Sequence, residues 1–338
     1  MSNSSKMKHL EMFVDSEMIR DQLDHTREEI IDFANNHIQA VQAWLSTRTP
    51  QAKRFEGTGV IANSSGLAVP LLNLALGSHY PAGTSDELIE QEIESVKTFY
   101  AYQSVPWLWW IPPNATPADM PQRLMRHDLR CNLKRPVMVA PLPAKCPPIN
   151  PNVEVWPAST SAHLEVASTI RRIGFGFPDG QANNYYEGMA HNWLNDGKGT
   201  VYMAKVKDGP PAAIGSLITG AGLPGVYAMA TLPEWRRHGL GSAILARILS
   251  DAAANGHHFI VLTASPLGYP LYAKFGFLHI FNYQLFGWGN NGISSGYKPP
   301  RPTDRRNTNR SLEYDGQEKR RTHYVNTARM NGYMSAHR

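Results

Sequence analysis

Residues 226–242 read Val-Tyr-Ala-Met-Ala-Thr-Leu-Pro-Glu-Trp-Arg-Arg-His-Gly-Leu-Gly-Ser and are followed by the apolar run Ala243–Leu249. Glycines at 239 and 241 allow the backbone to approach a ligand closely where a helix begins, and the free amide groups of a first helical turn attract phosphate. Arg236 and Arg237 add positive charge at the same place. The pattern therefore predicts a strand, a Pro turn and an anion-binding loop that opens a helix over residues 239–255.

A second segment, residues 265–277, reads Ser-Pro-Leu-Gly-Tyr-Pro-Leu-Tyr-Ala-Lys-Phe-Gly-Phe. Together with Arg236-x-x-Gly239-x-Gly241, it resembles the two signatures of the GCN5-related N-acetyltransferase (GNAT) superfamily, Arg/Gln-x-x-Gly-x-Gly/Ala and Asn-x(6)-Tyr-x-Lys-x-Gly-Phe. The segments have the family's order and spacing, with a helix and a strand between them, and the resemblance covers residues 153–287. It implies the acyl-CoA N-acyltransferase fold, an α/β fold with a mixed sheet. It also implies an acyltransferase that uses acetyl-CoA as cosubstrate and no metal.

The resemblance assigns residues to the cofactor by position. The amides of residues 237–242 are expected to hold the CoA pyrophosphate, with Arg236 at the family's Arg or Gln position. The backbone of residues 229–231, at a strand bulge, is expected to pair with the pantetheine arm. Ser265 stands where the family often has an Asn. The expected cofactor-binding residues are Met229, Ala230, Thr231, Arg236, Arg237, His238, Gly239, Leu240, Gly241, Ser242 and Ser265.

The catalytic residues are less evident from the sequence. Tyr272 falls on the family tyrosine that protonates the leaving thiolate; the alternative is a half-buried packing residue. Many members place a general base Glu on the fourth or fifth strand, but residues 225–230 and 259–262 contain no carboxylate. Glu187 and His191, one helical turn apart, and Tyr227 are the candidates for that role. For each of these three, a solvated helix face or a place in the core is the alternative.

The first half of the chain resembles a degenerate copy of the same fold. Each half contains a strand, a helix and a two-residue step into the next strand. These elements are residues 107–111, 117–127 and 128–129 in the first half, and 259–264, 268–275 and 276–277 in the second half. This alignment puts Leu124 at the Tyr272 position, and no Arg-x-x-Gly-x-Gly precedes residue 150. We therefore expect the first half to pack on the catalytic half and to shape its acceptor pocket, with the Trp107–Ile111 strand in the core.

Hydrophobic periodicity and turn residues predict the remaining elements. Five prolines between Pro141 and Pro151 predict a stiff linker. The other expected helices are 17–45 (one or two), 85–102, 161–173 and 183–194, and the other expected strands are 59–62, 71–76, 136–140, 153–156, 200–206, 213–219, 226–232 and 277–285. The expected organisation is a flexible N-terminus (1–16), a degenerate GNAT-like domain (17–141), the linker (142–151), a catalytic GNAT domain (152–288) and a basic extended or disordered tail (289–338).

Composition and charge narrow the class of protein further. The 338 residues include 33 Lys and Arg against 28 Asp and Glu, a net charge of +5. Residues 298–338 hold ten Lys and Arg against four Asp and Glu, so the rest of the chain sums to −1, which argues against nucleic-acid binding. No apolar run reaches the ~20 residues of a membrane span, and the first eight residues lack the apolar centre of a secretory signal. We therefore expect a cytoplasmic protein without a membrane partner, with Cys131 and Cys146 as reduced structural thiols.

The sequence thus favours an acetyl-CoA-dependent N-acetyltransferase that acts on the amine of a small molecule by direct attack. A protein lysine acetyltransferase, with the basic tail docking an acidic partner, is one alternative. A non-catalytic acyl-CoA-binding module is another, suggested by the missing base. The sequence leaves open the acceptor, the acyl chain length, the role of the tail and whether the chain forms a homodimer.

Overall fold

The structure is a computed structural model that describes residues 13–46, 49, 51–177 and 185–288. The helices and strands of the first half are α1 (Ser16–Leu23), α2 (Arg27–Ser46), β1 (Lys53–Glu56), β2 (Val60–Ser64), β3 (Asn73–Gly77), α3 (Asp86–Gln103), β4 (Leu108–Ile111), α4 (Met120–Arg126) and β5 (Leu129–Pro141). Those of the second half are β6 (Val153–Pro157), α5 (Ser161–Phe175), α6 (Ala190–Asn195), β7 (Gly199–Val206), β8 (Ala213–Gly220), β9 (Leu223–Thr231), α7 (Leu240–Ala254), β10 (Phe259–Thr263), α8 (Tyr269–Lys274) and β11 (Leu278–Trp288). Short 3-10 turns occur at Pro70–Leu72, Glu187–Met189 and Pro233–Trp235.

Local sequence accounts for where several helices begin and end. The Ser85 hydroxyl accepts a hydrogen bond from the Leu88 amide at the start of α3, and Thr160 caps α5 in the same way. Each cap satisfies an amide that has no partner inside the helix. Helix α5 ends at Gly176, whose φ of 68° lies in the left-handed region that glycine adopts without strain.

The strands of the described residues form one mixed sheet with the order β1-β2-β3-β4-β11-β5-β10-β9-β8-β7-β6. Two neighbouring pairs are parallel, β3 with β4 and β9 with β10, and the other pairs are antiparallel. The last strands of the two halves are exchanged: β11 lies between β4 and β5, and β5 lies between β10 and β11. The described residues belong to one compact unit.

The two halves repeat the same succession of elements. In the first half, antiparallel β2 and β3 are followed by α3, the parallel β4, α4 and β5. In the second half, β8 and β9 are followed by α7, the parallel β10, α8 and β11. Asp128 and Gly276, the residues aligned from sequence, have φ values of 63° and 80° and each lies two residues beyond its helix. This shared backbone kink supports the alignment and a tandem architecture.

Strand β4 is completely buried, as expected from its sequence. Each of the residues Leu108–Ile111 is buried, and the Trp109 indole donates a hydrogen bond to the Ser78 hydroxyl at 2.8 Å. Trp109 packs in an aromatic and aliphatic core between the sheet and α3, together with Leu124, which is fully buried. Trp109 therefore belongs to the core, whereas Trp107 precedes β4 and is half-buried, and Trp110 is buried but also reaches the wall of a cavity described below.

The structure also differs from the sequence-based expectation at several elements. Strand β1 was not predicted, because its sequence Lys-Arg-Phe-Glu is mostly exposed at the edge of the sheet and shows no apolar alternation. Strand β5 begins at Leu129 rather than Pro136, because its polar first part is paired with β11. The helix expected over 183–194 is the 3-10 turn Glu187–Met189 followed by α6, and residues 183–184 lie outside the described part.

Other expectations concern the termini and the thiols. Residues 1–12 and the predicted tail, 289–338, lie outside the described residues. Cys131 and Cys146 are free, as expected of reduced thiols, and both are exposed. Among the described helices, none is long and apolar enough to cross a membrane. The linker at 142–151 remains a predicted domain boundary.

Candidate functional site

The site begins where two parallel strands of the second half separate. Strands β9 and β10 are in register only at Gly225 with Val261 and at Val226 with Leu262. Beyond Val226, β9 continues to Thr231 without pairing with β10, although its other edge remains paired with β8. The free edge of β9 therefore presents backbone donors and acceptors to an added extended chain.

A bulge in β9 directs several side chains toward this opening. Ser216 pairs with Tyr227 and Ile214 pairs with Ala230, so that Gly215 faces both Ala228 and Met229. Ala228 has a φ of 51°, in the left-handed region. A bulge of this kind bends the strand and redirects its side chains. The sequence-based expectation of a bulge beside residues 229–231 agrees with this geometry.

The predicted anion loop connects β9 to α7. The first intrahelical bond shown at this end runs from the Ala243 amide to the Gly239 carbonyl at 3.0 Å, as expected when the preceding amides point out of the helix. Arg237 and Gly239 have φ values of 70° and 89°, and this backbone turns the chain into the helix. The helix dipole and these amides favour an anion at the start of α7.

Gly239 and Gly241, the two glycines of the anion loop, differ in whether the fold itself requires a glycine there. Gly239 needs its positive φ, and a Cβ there would lie 3.1 Å from the Cβ of Asn150, so the loop itself requires glycine. A Cβ on Gly241 would meet only Leu271, at an ordinary contact of 3.6 Å. No contact among the described residues therefore requires glycine at position 241. A phosphate group held against the start of the helix would require one, and the residues present fit CoA in this respect.

The Arg236 side chain holds the loop in place through two hydrogen bonds to backbone carbonyls. Its Nε donates to the Thr231 carbonyl at 3.3 Å and its Nη2 donates to the Gly174 carbonyl at 3.4 Å. These bonds tie the loop to the end of β9 and to α5. The Asn150 amide adds a bond to the His238 carbonyl at 3.0 Å.

The corresponding helix of the first half offers no such site. Helix α3, which follows β3 as α7 follows β9, has its Leu88 amide capped by Ser85 and begins with Asp86 and Glu87. Two carboxylates at a helix start repel a phosphate. Only the second half therefore has the charge and backbone for an anion at this position.

A cavity of about 180 Å³ adjoins the opening between β9 and β10. Its wall includes four residues predicted from the sequence, which the structure brings together. They are Tyr227, Met229, Ser265 and Tyr272. Residues of the first half, among them Arg135 on β5 and Trp110 on β4, complete the wall. The first half therefore helps to enclose this cavity.

Tyr272 lies on α8 and is 7% exposed. Burial raises the pKa of its hydroxyl, an effect that the nearby Arg135 guanidinium partly offsets. The hydroxyl is therefore protonated throughout the neutral pH range and is suited to donate a proton or a hydrogen bond. Ser265 begins the turn before α8, where its hydroxyl accepts a hydrogen bond from the Gly268 amide at 3.1 Å.

Tyr227 is paired with a buried histidine from the first half. Its hydroxyl lies 2.8 Å from Nε2 of His37 on α2. Nδ1 of His37 lies 2.9 Å and 3.2 Å from the carbonyl oxygens of Leu223 and Gly220, which only accept hydrogen bonds. The proton of the neutral ring is therefore on Nδ1, and Nε2 accepts the Tyr227 proton. Burial lowers the pKa of His37 to about 4, so the ring is neutral at neutral pH.

The structure does not bring His191, another base candidate, to the cavity. The His191 side chain is 77% exposed, lies 3.3 Å from the Asn195 amide nitrogen and is not part of the cavity wall. Glu187 begins a 3-10 turn, but its side chain lies outside the described part of the structure.

Sequence reasoning missed three residues of the cavity region: His37, Arg135 and Arg171. Two of them carried a signal. His37 lies on the apolar stripe of α2 between Ala34 and Val41, and Arg171 lies one helical turn beyond Ala167 on the buried face of α5. A polar residue on an apolar stripe is expected to have a specific partner. Arg135 carried no such signal, because its position depends on the strand exchange.

Comparison with known proteins agrees with this architecture. Residues 197–278 match the family model described as Acetyltransferase (GNAT) domain. A search of curated proteins gives no match.

Solved structures share the fold at low sequence identity. A GCN5-related N-acetyltransferase from Kribbella flavida is 16% identical, with 78% of this chain and 97% of that chain covered and a TM-score of 0.60. A GCN5-related N-acetyltransferase from Sphaerobacter thermophilus is 15% identical, with 68% and 80% covered and a TM-score of 0.52. The matched domain, the shared fold and the repeated order of elements lead to one conclusion: residues 197–278 form a GNAT-type acetyltransferase domain, and the chain has a tandem arrangement of this fold.

Proposed function

We propose that the protein is an acetyl-CoA-dependent N-acetyltransferase that transfers the acetyl group directly to the amine of a small molecule. The observation that carries this proposal is that one cavity joins Tyr272, Tyr227 and the free edge of β9. A proton donor, a hydrogen-bond acceptor and an unpaired strand edge thus meet at one place.

Acetyl-CoA would be held by the second half. The amides of residues 237–242 would bind its pyrophosphate, and the edge at Met229, Ala230 and Thr231 would pair with its pantetheine arm. Bound there, it supplies an activated acetyl thioester. Tyr272, protonated at neutral pH, would donate a proton to the departing thiol sulfur.

Tyr227 would receive the acceptor amine. Because the Tyr227 proton is directed to His37, the lone pairs of the phenol oxygen are free to accept an N–H from the amine. This hydrogen bond would orient the amine, and the proton that the amine loses would pass to the Tyr227 oxygen as the phenol proton moves to His37. The His37 side chain, which belongs to the first half, would then take part in the reaction at the second half.

The test of this proposal is release of free thiol from acetyl-CoA in the presence of a panel of small amines, followed by mass spectrometry of the products. We expect amine-dependent thiol release with a matching N-acetyl product. Thiol release without an acetylated amine, or none with any amine, would contradict the proposal.

Replacing Tyr227 with phenylalanine is expected to lower the transfer rate about tenfold or more at pH 7 with little change in acetyl-CoA affinity. The deficit should narrow toward pH 9, because hydroxide then removes the proton that Tyr227 would have accepted. The measurement is the pH profile of kcat for both proteins.

Tyr202→Phe is the matched control for this change. The Tyr202 hydroxyl also makes a side-chain hydrogen bond, to Asp251 at 2.6 Å, but Tyr202 is not in the cavity wall. A Tyr227→Phe protein whose deficit is independent of pH would exclude the proton-accepting role.

Two alternative functions have weaker support. A protein lysine acetyltransferase needs an accessible groove for a peptide, whereas the described wall of this cavity is formed by both halves of the chain. A non-catalytic acyl-CoA-binding module has no use for the Tyr272 hydroxyl or for the oriented Tyr227 hydroxyl. The thiol-release measurement separates the three functions when it is repeated with a lysine-containing peptide in place of the small amine.

A further inference from the structure

Two arginines lie in the wall of the cavity, and each has at least one N–H group without a hydrogen-bond partner among the described residues. Arg171 on α5 is 7% exposed, and its Nε and Nη1 have no hydrogen-bond partner among the described residues. The Nε of Arg135 on β5 likewise has none there. Among the described residues that line the cavity, none is Asp or Glu. Buried N–H groups of a charged side chain are costly when they lack a partner, so the unpartnered N–H groups of both arginines favour an anion in the cavity.

Aromatic rings fix the orientation of Arg171. Its guanidinium lies 3.9 Å from the centre of the Tyr185 ring and 5.2 Å from that of Phe177. Stacking of this kind holds the guanidinium plane and leaves N–H groups free to donate within that plane, among them the unpartnered Nε and Nη1. A carboxylate is the planar anion that a guanidinium commonly binds through two hydrogen bonds.

The phosphates of CoA are not the anion for which these arginines are prepared. The loop proposed for the pyrophosphate, residues 236–242, contributes nothing to the wall of this cavity. The acetyl end of the cosubstrate, which would lie near Tyr272, carries no charge. The anionic group therefore belongs to the other substrate.

We infer, building on the proposed function, that the acceptor is an amine that also carries a carboxylate and an aromatic or apolar body. Arg171 and Arg135 bind the carboxylate, and the rings of Phe175, Tyr186 and Trp193 contact the body. Aromatic amino acids have this combination of groups.

Binding is tested on the full chain with phenylacetate and its neutral isostere phenylacetamide. Fluorescence of Trp110 and Trp193 in the cavity wall reports occupancy, and competition with an added amine substrate checks the location. We expect phenylacetate to bind at least about tenfold more tightly than phenylacetamide. Equal affinities, or no binding of phenylacetate at 10 mM (about the weakest useful affinity), would overturn the inference.

Variants identify the residue responsible. Arg171→Gln should remove the preference for phenylacetate, and Arg171→Lys, which keeps the charge but not the fork, should retain part of it. Arg247→Gln is the matched control, because Arg247 also lies near a tyrosine ring, at 5.7 Å from that of Tyr202, but outside the cavity wall. If Arg171→Gln fails to fold, Arg135→Gln makes the same test. A preference that survives both the Arg171 and the Arg135 change would overturn the assignment.

Transfer assays separate this inference from the proposed function. Phenylalanine should be acetylated with a kcat/KM at least about tenfold above that of phenethylamine, which lacks only the carboxylate. Equal acetylation of the two amines would leave the proposed function standing and overturn the carboxylate site. If phenylacetate binds in a manner that depends on Arg171 but no amine is acetylated, the carboxylate site would stand and the proposed function would be overturned.

Discussion

Replacing Tyr272 with phenylalanine is expected to lower the rate of acetyl transfer at least about tenfold while the affinity for acetyl-CoA stays within about threefold. The change removes one hydroxyl from a buried ring and keeps the ring's packing, which includes a contact with Phe277 at 5.8 Å between ring centres. The departing thiolate then has no proton donor from α8. The measurement is thiol release at saturating amine, together with calorimetric titration of acetyl-CoA.

Tyr269→Phe is the control for Tyr272→Phe. Tyr269 lies on the same short helix, one turn earlier, but is not in the cavity wall. We expect it to retain most of the transfer rate. An unchanged rate in Tyr272→Phe would remove Tyr272 from the mechanism and leave it as a packing residue.

Replacing Gly241 with valine is expected to abolish binding of acetyl-CoA, with an affinity loss of at least about a hundredfold. The added side chain projects from the first turn of α7, where the pyrophosphate would approach the amides. The fold should tolerate it, because the nearest described atom to a Cβ at 241 is Leu271 Cδ2 at 3.6 Å. Calorimetric titration of acetyl-CoA measures the affinity, and the melting temperature checks the fold.

Gly188→Val supplies the comparison for the glycine change. Among the described residues, a Cβ on Gly188 would meet nothing within 4 Å, and this residue lies in the 3-10 turn before α6 and not in the anion loop. It should bind acetyl-CoA normally. Retained binding by Gly241→Val would refute the assignment of the pyrophosphate to this loop. Gly239 is a poorer choice for this test, because its φ of 89° makes any side chain strain the loop itself.

The sequence was most informative where a function depends on contiguous residues. The loop from Arg236 to Ser242 and the segment around Tyr272 were recognisable because their glycines, arginines and aromatic residues lie at fixed local spacing. The buried strand β4 was equally clear, since an uninterrupted apolar run between prolines has few other readings.

The other features of the site depended on contacts between residues that are distant in the chain. His37 meets Tyr227 only after α2 packs on the second half, and Arg135 reaches the cavity only because β5 pairs with β10. Local periodicity contains no information on which strand will lie next to which. The position of Arg135 was therefore beyond prediction, whereas Tyr227 was among the expected candidates, and the places of His37 and Arg171 on apolar helix faces indicated that each has a specific partner.

The exchange of β5 and β11 also sets the order in which the chain can complete its fold. During synthesis, β4 and β5 are made long before β11, the strand that separates them in the finished sheet. The sheet of the first half therefore stays incomplete between β4 and β5 until nearly all of the described chain has been made. The pairings of β11 close very long loops, which is slow because the entropy of closure is lost before the contacts form. Insertion of β11 between β4 and β5 is thus the natural final step, and it joins the two halves into one cooperative unit.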